Sequence, residues 1–367
     1  MTNPLRVGII GTGIGLTQIT PGFLATNNAK IVALAGSSYE RAKLLSENYD
    51  IDLVTGNYRE VCDHPDIDLI CVTTPNEFHY EHMSAALDTD KHVLLEKPVG
   101  NTEDETRKIA SHAGDKNRLV IVSHQLRFNP HIQAMKRIIQ SGDIGRIYRI
   151  TINQSSSSST DISTPMKWSY DPKRGGGFRL AMGVHLVDLA RFLLDKNPNT
   201  ITGALDPVYK YRTPINSDKY ECFASNFVSA MMTFEDTTVE ISSTAVSRTE
   251  EEFTIVVRGE NGDLTYDLHN FLRLYKNIEQ PEKVLDDQVD KQYLSKETKP
   301  YYSIFKRSFF YYAQEIVDAI ARGETTLHEA STLDDAIINS KSLDAIHNSH
   351  INGSREILEA YEFQPYY

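Results

Sequence analysis

Cysteine is scarce in this chain. Three residues in 367, Cys62, Cys71 and Cys222, stand far apart, with no spacing that would close a metal site or a disulfide framework. An odd, sparse count suits a reducing compartment, and all three read as structural. Positive charge is also short: 38 Lys and Arg against 50 Asp and Glu give a formal net charge of -12. That balance argues against nucleic acid as a partner, because such binding needs a basic face to neutralise phosphates. No apolar run approaches the roughly 20 residues of a membrane-spanning helix. The opening MTNPLRVGII goes almost directly into a strand and lacks a signal-peptide pattern. The expectation is a cytoplasmic, acidic protein with no membrane segment, long enough for two domains.

What is present starts with an apolar strand, Leu5–Ile10, running into Gly11-Thr12-Gly13-Ile14-Gly15-Leu16. Glycines after a first strand allow a tight turn and let the backbone approach a pyrophosphate at a helix N-terminus. The third glycine of that pattern is displaced: Leu16 holds its place and Gly15 comes one residue early. A second strand over 31–35 ends in Gly36-Ser37-Ser38, with Arg41 one helical turn on and no acid at the ribose position. Small polar and basic groups there favour NADP(H), with NAD(H) the other option. Ser38 also suits the N-cap of the helix over 39–49. A third apolar run, 68–72, leads to Thr73-Thr74-Pro75-Asn76 and then His79, which would line the same crevice.

The stretch around which the chain is organised is HVLLEKPVG, residues 92–100. An apolar strand stops abruptly at Glu96-Lys97-Pro98. An ionisable pair at the C-terminal end of a parallel strand lies where open α/β sheets bind ligands. Pro98 keeps Lys97 extended rather than helical. Thr102 and Glu105 then form a capping box, and 119–123 supplies the last strand. Strands alternating with helices predict an α/β Rossmann, doubly wound parallel sheet over residues 1–124.

After His124 the pattern changes. An amphipathic helix over 130–141 precedes strands near 144–153, 221–234, 238–246 and 253–257, with a type I′ hairpin signal at Asn261-Gly262. Five serines at 155–159 read as a loop. Helices return over 309–322 and 332–349. Residues 125–367 are thus expected to form an α+β domain with a large, mostly antiparallel sheet, one that commonly dimerises through an uncovered face. Between the first strands lies Trp168, then Gly175-Gly176-Gly177, then Gly183, His185 and Asp188 opening a helix.

Taken together these pieces resemble the Gfo/Idh/MocA group of NAD(P)-dependent oxidoreductases. The matching stretches are GIIGTG, TPN with His79, EKP, RFNP at residues 127–130, the glycine triplet and GVHLVD at residues 183–188. The resemblance implies a C-terminal open sheet that forms homodimers or homotetramers and a sugar, polyol or related carbohydrate substrate. It places Lys97 beside the nicotinamide and substrate, and maps the family's histidine onto His185. Cofactor contacts are expected from Gly11, Gly13, Ile14, Ser37, Ser38, Arg41, Thr74, Pro75, Asn76, His79, Glu96 and Lys97. Arg127 and Trp168, with His185, are candidates on the substrate side, and no metal is expected.

One position departs from the family. Four residues before His185, where the family has a catalytic aspartate, stands Ala181. The leading expectation is hydride transfer between nicotinamide and a secondary alcohol or ketone, with Lys97 and His185 handling the proton. The alternative that Ala181 supports is a nucleotide-binding regulatory protein without turnover.

Overall fold

The computed structural model describes residues 3–26, 28–114, 117–213, 218–268, 271–276, 281–284 and 303–359. They form two compact units. The first takes the described residues up to Asn129 and those of 303–337. In it β1 (Leu5–Ile10) leads through a π-helical turn (Gly15–Ile19) into α1 (Thr20–Leu24). β2 (Ala29–Ala35), α2 (Tyr39–Ser46), β3 (Leu53–Thr55), α3 (Tyr58–Cys62) and β4 (Leu69–Val72) follow. α4 (His79–Leu87), β5 (His92–Leu95), α5 (Glu103–Ala110) and β6 (Val120–Val122) complete the alternation. All pairings are parallel, in the order β3-β2-β1-β4-β5-β6.

The apolar runs are continuous because the sheet is buried on both faces. On one face Val7, Ile9, Leu34 and Leu69 pack with Ile19 and Phe23; on the other Ile10, Val32, Ile70 and Val93 pack with Met83, Leu87 and Ile109. The strand order reverses direction between β1 and β4, which opens a crevice at their C-terminal ends.

The second unit begins at α6 (Pro130–Ser141), followed by β7 (Ile147–Ser155), α7 (Val184–Leu194) and β8 (Thr200–Asp206). A short antiparallel pair, β9 (Tyr211–Arg212) and β10 (Tyr220–Glu221), stands apart from the main sheet. The other strands are β11 (Phe227–Phe234), β12 (Thr237–Thr244), β13 (Glu252–Gly259), β14 (Asp263–Asp267), β15 (Phe271–Tyr275) and β16 (Glu282–Lys283). Alternate residues are buried along β11 and β12, so one face of this sheet carries the core. The opposite face exposes Tyr148 and Met231 beside Thr, Ser and Glu side chains.

The last elements of the described residues are α8 (Ile304–Ala321), α9 (Leu333–Asn352) and β17 (Glu356–Ile357). The finished sheet has nine strands, β16-β15-β14-β13-β7-β12-β11-β8-β17, antiparallel except where β12 pairs with β7. The chain does not divide linearly at 124/125, because α8 packs in the first unit. Phe309 meets Phe23 edge to face at 5.8 Å, and Tyr312 stacks on Phe128 at 4.2 Å. The β13–β14 hairpin exists without a type I′ turn, since neither Asn261 nor Gly262 has positive φ. Gly262 is required there for space: a Cβ would sit 2.9 Å from the Tyr275 carbonyl. No helix of the described residues is long and apolar enough to cross a membrane.

Candidate active site

The register of the first sheet sets Ile10, Val72 and Leu95 side by side, so Gly11, Thr73 and Glu96 leave their strands in one row. Gly11 has φ +114°, and a Cβ on it would lie 2.6 Å from the Thr73 carbonyl. Its N–H donates to the Ala35 carbonyl at 2.8 Å. Around Gly13 no atom lies within 4 Å of where a Cβ would stand, so a ligand has open access to the backbone. Gly15 is different again: a Cβ would meet Ile9 Cγ2 and Thr73 Oγ1, both at 2.8 Å. The early glycine therefore provides the close helix–strand approach. The helix adapts by starting as a π turn, Thr20 N–H donating to the Gly15 carbonyl, while Leu16 turns into the core. The turn fits a pyrophosphate, with Ile14 exposed at its rim.

At the end of β2, the Ser38 side chain accepts from Arg41 N–H at 3.2 Å and caps α2. Ser37 and Arg41 are exposed. On the loop after β4, Pro75 is half-buried and Asn76 buried. His79, expected to line the crevice, is buried: its ring nitrogens lie 2.7 Å from the Pro98 carbonyl and 2.8 Å from the Thr74 carbonyl. It thereby ties the loop after β4 to the loop after β5. Burial pushes its pKa down to about 4, against the pull of the two carbonyls, and the Lys97 charge adds to the downward push. His82, which the sequence reading missed, lies 3.2 Å from Thr74 Oγ1 and stacks with Phe78 at 5.6 Å.

Glu96 is buried, and Lys97 N–H donates to its Oε2 at 3.0 Å. The Lys97–Pro98 bond is cis. Burial raises the Glu96 pKa although the Lys97 charge opposes it, and burial lowers that of Lys97 although Glu96 opposes that. Burial thus disfavours the charged form of both groups at the C-terminal end of β5. Arg127 sits in the same unit, its guanidinium buried and paired with Asp335 at 3.1 Å. Asp335 and Thr332 cap α9 reciprocally, at 3.1 and 3.2 Å, so Arg127 steadies that helix start.

In the second unit, a π-helical turn over Arg179–Gly183 runs into α7 and carries His185 to a buried position. Ala181 is exposed and adds no polar group one turn earlier. Asp188, one turn after His185, accepts from Asn339 Nδ2 at 2.9 Å; Asn339 in turn accepts from Arg191 at 2.8 Å. This buried network fixes the roll of α7. Arg179 pairs with Asp344 at 3.4 Å, and burial lowers its pKa. Trp168, half-buried, opens a short helical turn, Trp168–Tyr170, closed against the glycine triplet. Gly175 and Gly177 have positive φ, and a Cβ on Gly176 would lie 2.6 Å from the Trp168 carbonyl. Among the described residues no group of three or more His, Cys, Asp or Glu could hold a metal ion.

A doubly wound sheet with a dinucleotide-type glycine turn, followed by a one-sided, mostly antiparallel sheet, defines a two-domain class of Rossmann proteins. The chain belongs to the Gfo/Idh/MocA family. The family model described as an oxidoreductase family NAD-binding Rossmann fold matches residues 5–124, and the family's C-terminal domain model matches 132–265. An uncharacterized oxidoreductase of Bacillus subtilis, YrbE, is 30% identical over 196 residues, 53% of this chain and 55% of that one. D-glucoside 3-dehydrogenase of Escherichia coli is 28% identical over 196 residues, with the same two coverages of 53% and 55%. The chain spans about half the length of the curated relatives it matches. The solved levoglucosan dehydrogenase in complex with NADH and L-sorbose superposes with a TM-score of 0.86 at 21% identity, covering 98% of this chain and 100% of that one.

Proposed function

We propose that this protein is a nicotinamide-dependent oxidoreductase that interconverts a secondary alcohol and a ketone on a sugar, polyol or related carbohydrate. The observation that carries the reading is the row Gly11, Thr73, Glu96: a glycine turn open to a pyrophosphate stands level with the strand end that presents Lys97. Similarity to D-glucoside 3-dehydrogenase supports the substrate class. A bound nicotinamide supplies the electron-pair acceptor or donor, in the balance alcohol plus NAD(P)+ to ketone plus NAD(P)H plus a proton.

Gly11, Gly13 and Ile14 hold the pyrophosphate, Ser37, Ser38 and Arg41 the ribose end, and Thr74, Pro75, Asn76 and Glu96 the second ribose. Ser37 and Arg41, with no acid at Gly36 or Ser37, favour NADP(H) over NAD(H). His79 acts by holding two of these loops together. The Lys97 ammonium hydrogen-bonds the reacting oxygen and stabilises its negative charge. A lowered pKa suits it to passing a proton, with Glu96 as its buried counterpart. His185 is the second proton-handling group, and Trp168 contacts the sugar. Arg127 serves the substrate side by steadying the start of α9. The outer face of the nine-stranded sheet, with Tyr148 and Met231, joins copies of the chain into dimers or tetramers, and the protein works in the cytoplasm.

Lys97→Met should lower kcat/KM by about 10²–10⁴-fold with nucleotide binding retained. Unchanged turnover on a sugar would overturn the role. Titration with NADPH and NADH, read by energy transfer from the protein, tests the cofactor preference. Ala181 favours a second reading, a nucleotide-binding regulator: protein that binds nucleotide yet turns over no glucoside, anhydrosugar or polyol would establish it.

A further inference from the structure

Arg212 is the largest fully buried side chain of the described residues, and it is a cation. Its Nη1 donates to the Asp161 carbonyl at 2.7 Å and its Nη2 to the Ser159 carbonyl at 3.0 Å. Its guanidinium carbon lies 3.9 Å from the centre of the Tyr170 ring. Cys222 and Ala224 pack with Tyr170 in one buried cluster. Burying a guanidinium is costly, and a leucine would fill such a volume without the desolvation. What only arginine supplies is its geometry: a planar fork that reaches two carbonyls while its face covers a ring.

The segments it joins matter because of what they carry. Ser159 ends the serine run, and Tyr170 ends the turn that Trp168 begins, Asp171 N–H donating to the Trp168 carbonyl at 3.0 Å. Gly177 N–H donates to the Ser169 carbonyl at 3.1 Å, and Phe178 N–H to the Ser225 carbonyl at 2.8 Å. Directly after Phe178 comes the π turn that leads to His185. One arginine thus fixes the serine loop and the tryptophan turn ahead of the His185 helix, all within the second unit.

We propose that Arg212 is a positioning residue: it locks the Trp168 turn so that the indole offers a rigid stacking surface to a sugar ring. The proposal rests on the sugar-oxidoreductase reading for the identity of the ligand, and on the clamp alone for the order of the turn. Aromatic walls with a few placed polar groups are how such sites orient small ligands. Pre-ordering the turn removes a cost that the sugar would otherwise meet on binding.

Trp168 is the single tryptophan of the chain, so indole fluorescence reports this turn directly. Arg212→Lys keeps the charge and loses the fork; Tyr170→Leu keeps the carbonyl bonds and loses the ring. Both should shift Trp168 emission to the red and raise its quenching by acrylamide about two-fold, with KM for methyl D-glucoside or levoglucosan up about ten-fold and kcat changed less than about three-fold. Tyr170→Phe should match the wild type, because the buried Tyr170 hydroxyl makes no hydrogen bond among the described residues. Should Arg212→Lys fail to fold, the Tyr170 pair carries the test. Emission and quenching unchanged in cooperatively folding Arg212→Lys and Tyr170→Leu proteins would overturn the clamp. A shifted emission with unchanged KM would overturn the stacking surface. A wild type inactive on both sugars would overturn the oxidoreductase reading, while the emission measurements still decide the clamp.

Discussion

Gly11, Gly13 and Gly15 lie within five residues, yet each is a glycine for its own physical reason. Gly11 needs its backbone angle, Gly13 faces empty space, and Gly15 touches β1 and Thr73. Alanine substitutions should therefore separate folding from binding. Gly13→Ala should change unfolding stability by less than about 0.5 kcal/mol, yet weaken dinucleotide binding by about ten-fold or more, as its methyl takes the ligand's room. Gly15→Ala should cost about 1–3 kcal/mol of stability, since neither Ile9 nor Thr73 has room to retreat. Thermal unfolding and NADH titration of both variants check this; equal effects on both quantities would contradict it. The sequence showed the glycines and the shifted third one, but not the π turn that absorbs the shift, because a π turn has no residue signature of its own. Arg127 and Arg212 were hidden for a related reason. Their roles depend on partners far along the chain, Asp335 for one and Ser159, Asp161 and Tyr170 for the other.

At the scale of elements, the site is a set of strand ends whose loops are held together by side chains from the following helices. His79, the first residue of α4, does this for the loops after β4 and β5. A neutral ring donates to one of its two carbonyls, and burial keeps it neutral down to about pH 4. In the unfolded chain a histidine takes up its proton near pH 6.5. The unfolded state thus binds the proton first. The contribution of His79 is complete above about pH 6.5 and is lost progressively as pH falls toward 4, by on the order of 3 kcal/mol. Denaturant unfolding between pH 7.5 and 4.5 should show the wild type losing stability faster than His79→Gln, which lacks the titrating ring. Parallel profiles would show that the ring titrates in the fold as it does in the unfolded chain. The strands and helices themselves were legible, since apolar runs between glycine turns and capped helices follow from burial on both faces. The loop-tying role of His79 was not, because a histidine at a helix start looks the same whether it faces solvent or a neighbouring loop.

At the scale of the molecule, the two units are each assembled from separate stretches of chain, and α8 is where this matters most. Nothing in residues 304–321 states which sheet the helix will cover; its apolar stripe suits either. The structure gives it to the first unit, where Phe309, Tyr312 and Ile316 join Ile19, Phe23 and Phe128 in one buried cluster, and Tyr312 donates to the Val122 carbonyl at 3.0 Å. Gly22 confirms the fit from the other side, since a Cβ there would lie 2.3 Å from Phe309. The first unit therefore draws part of its buried core from α8. A fragment ending at residue 129 keeps every strand of the parallel sheet and all the expected cofactor residues, but exposes the apolar surface of Ile19, Phe23 and Phe128 that α8 covers. It should show no cooperative thermal transition and no saturable NADH binding. In the full chain, Phe309→Ala should cost about 3–5 kcal/mol and lower nucleotide affinity only through the population of folded protein, so that binding at low temperature stays near wild type. A fragment that folds cooperatively and binds NADH would show that α8 merely rests on a sheet already complete, and would restore a domain boundary near residue 124.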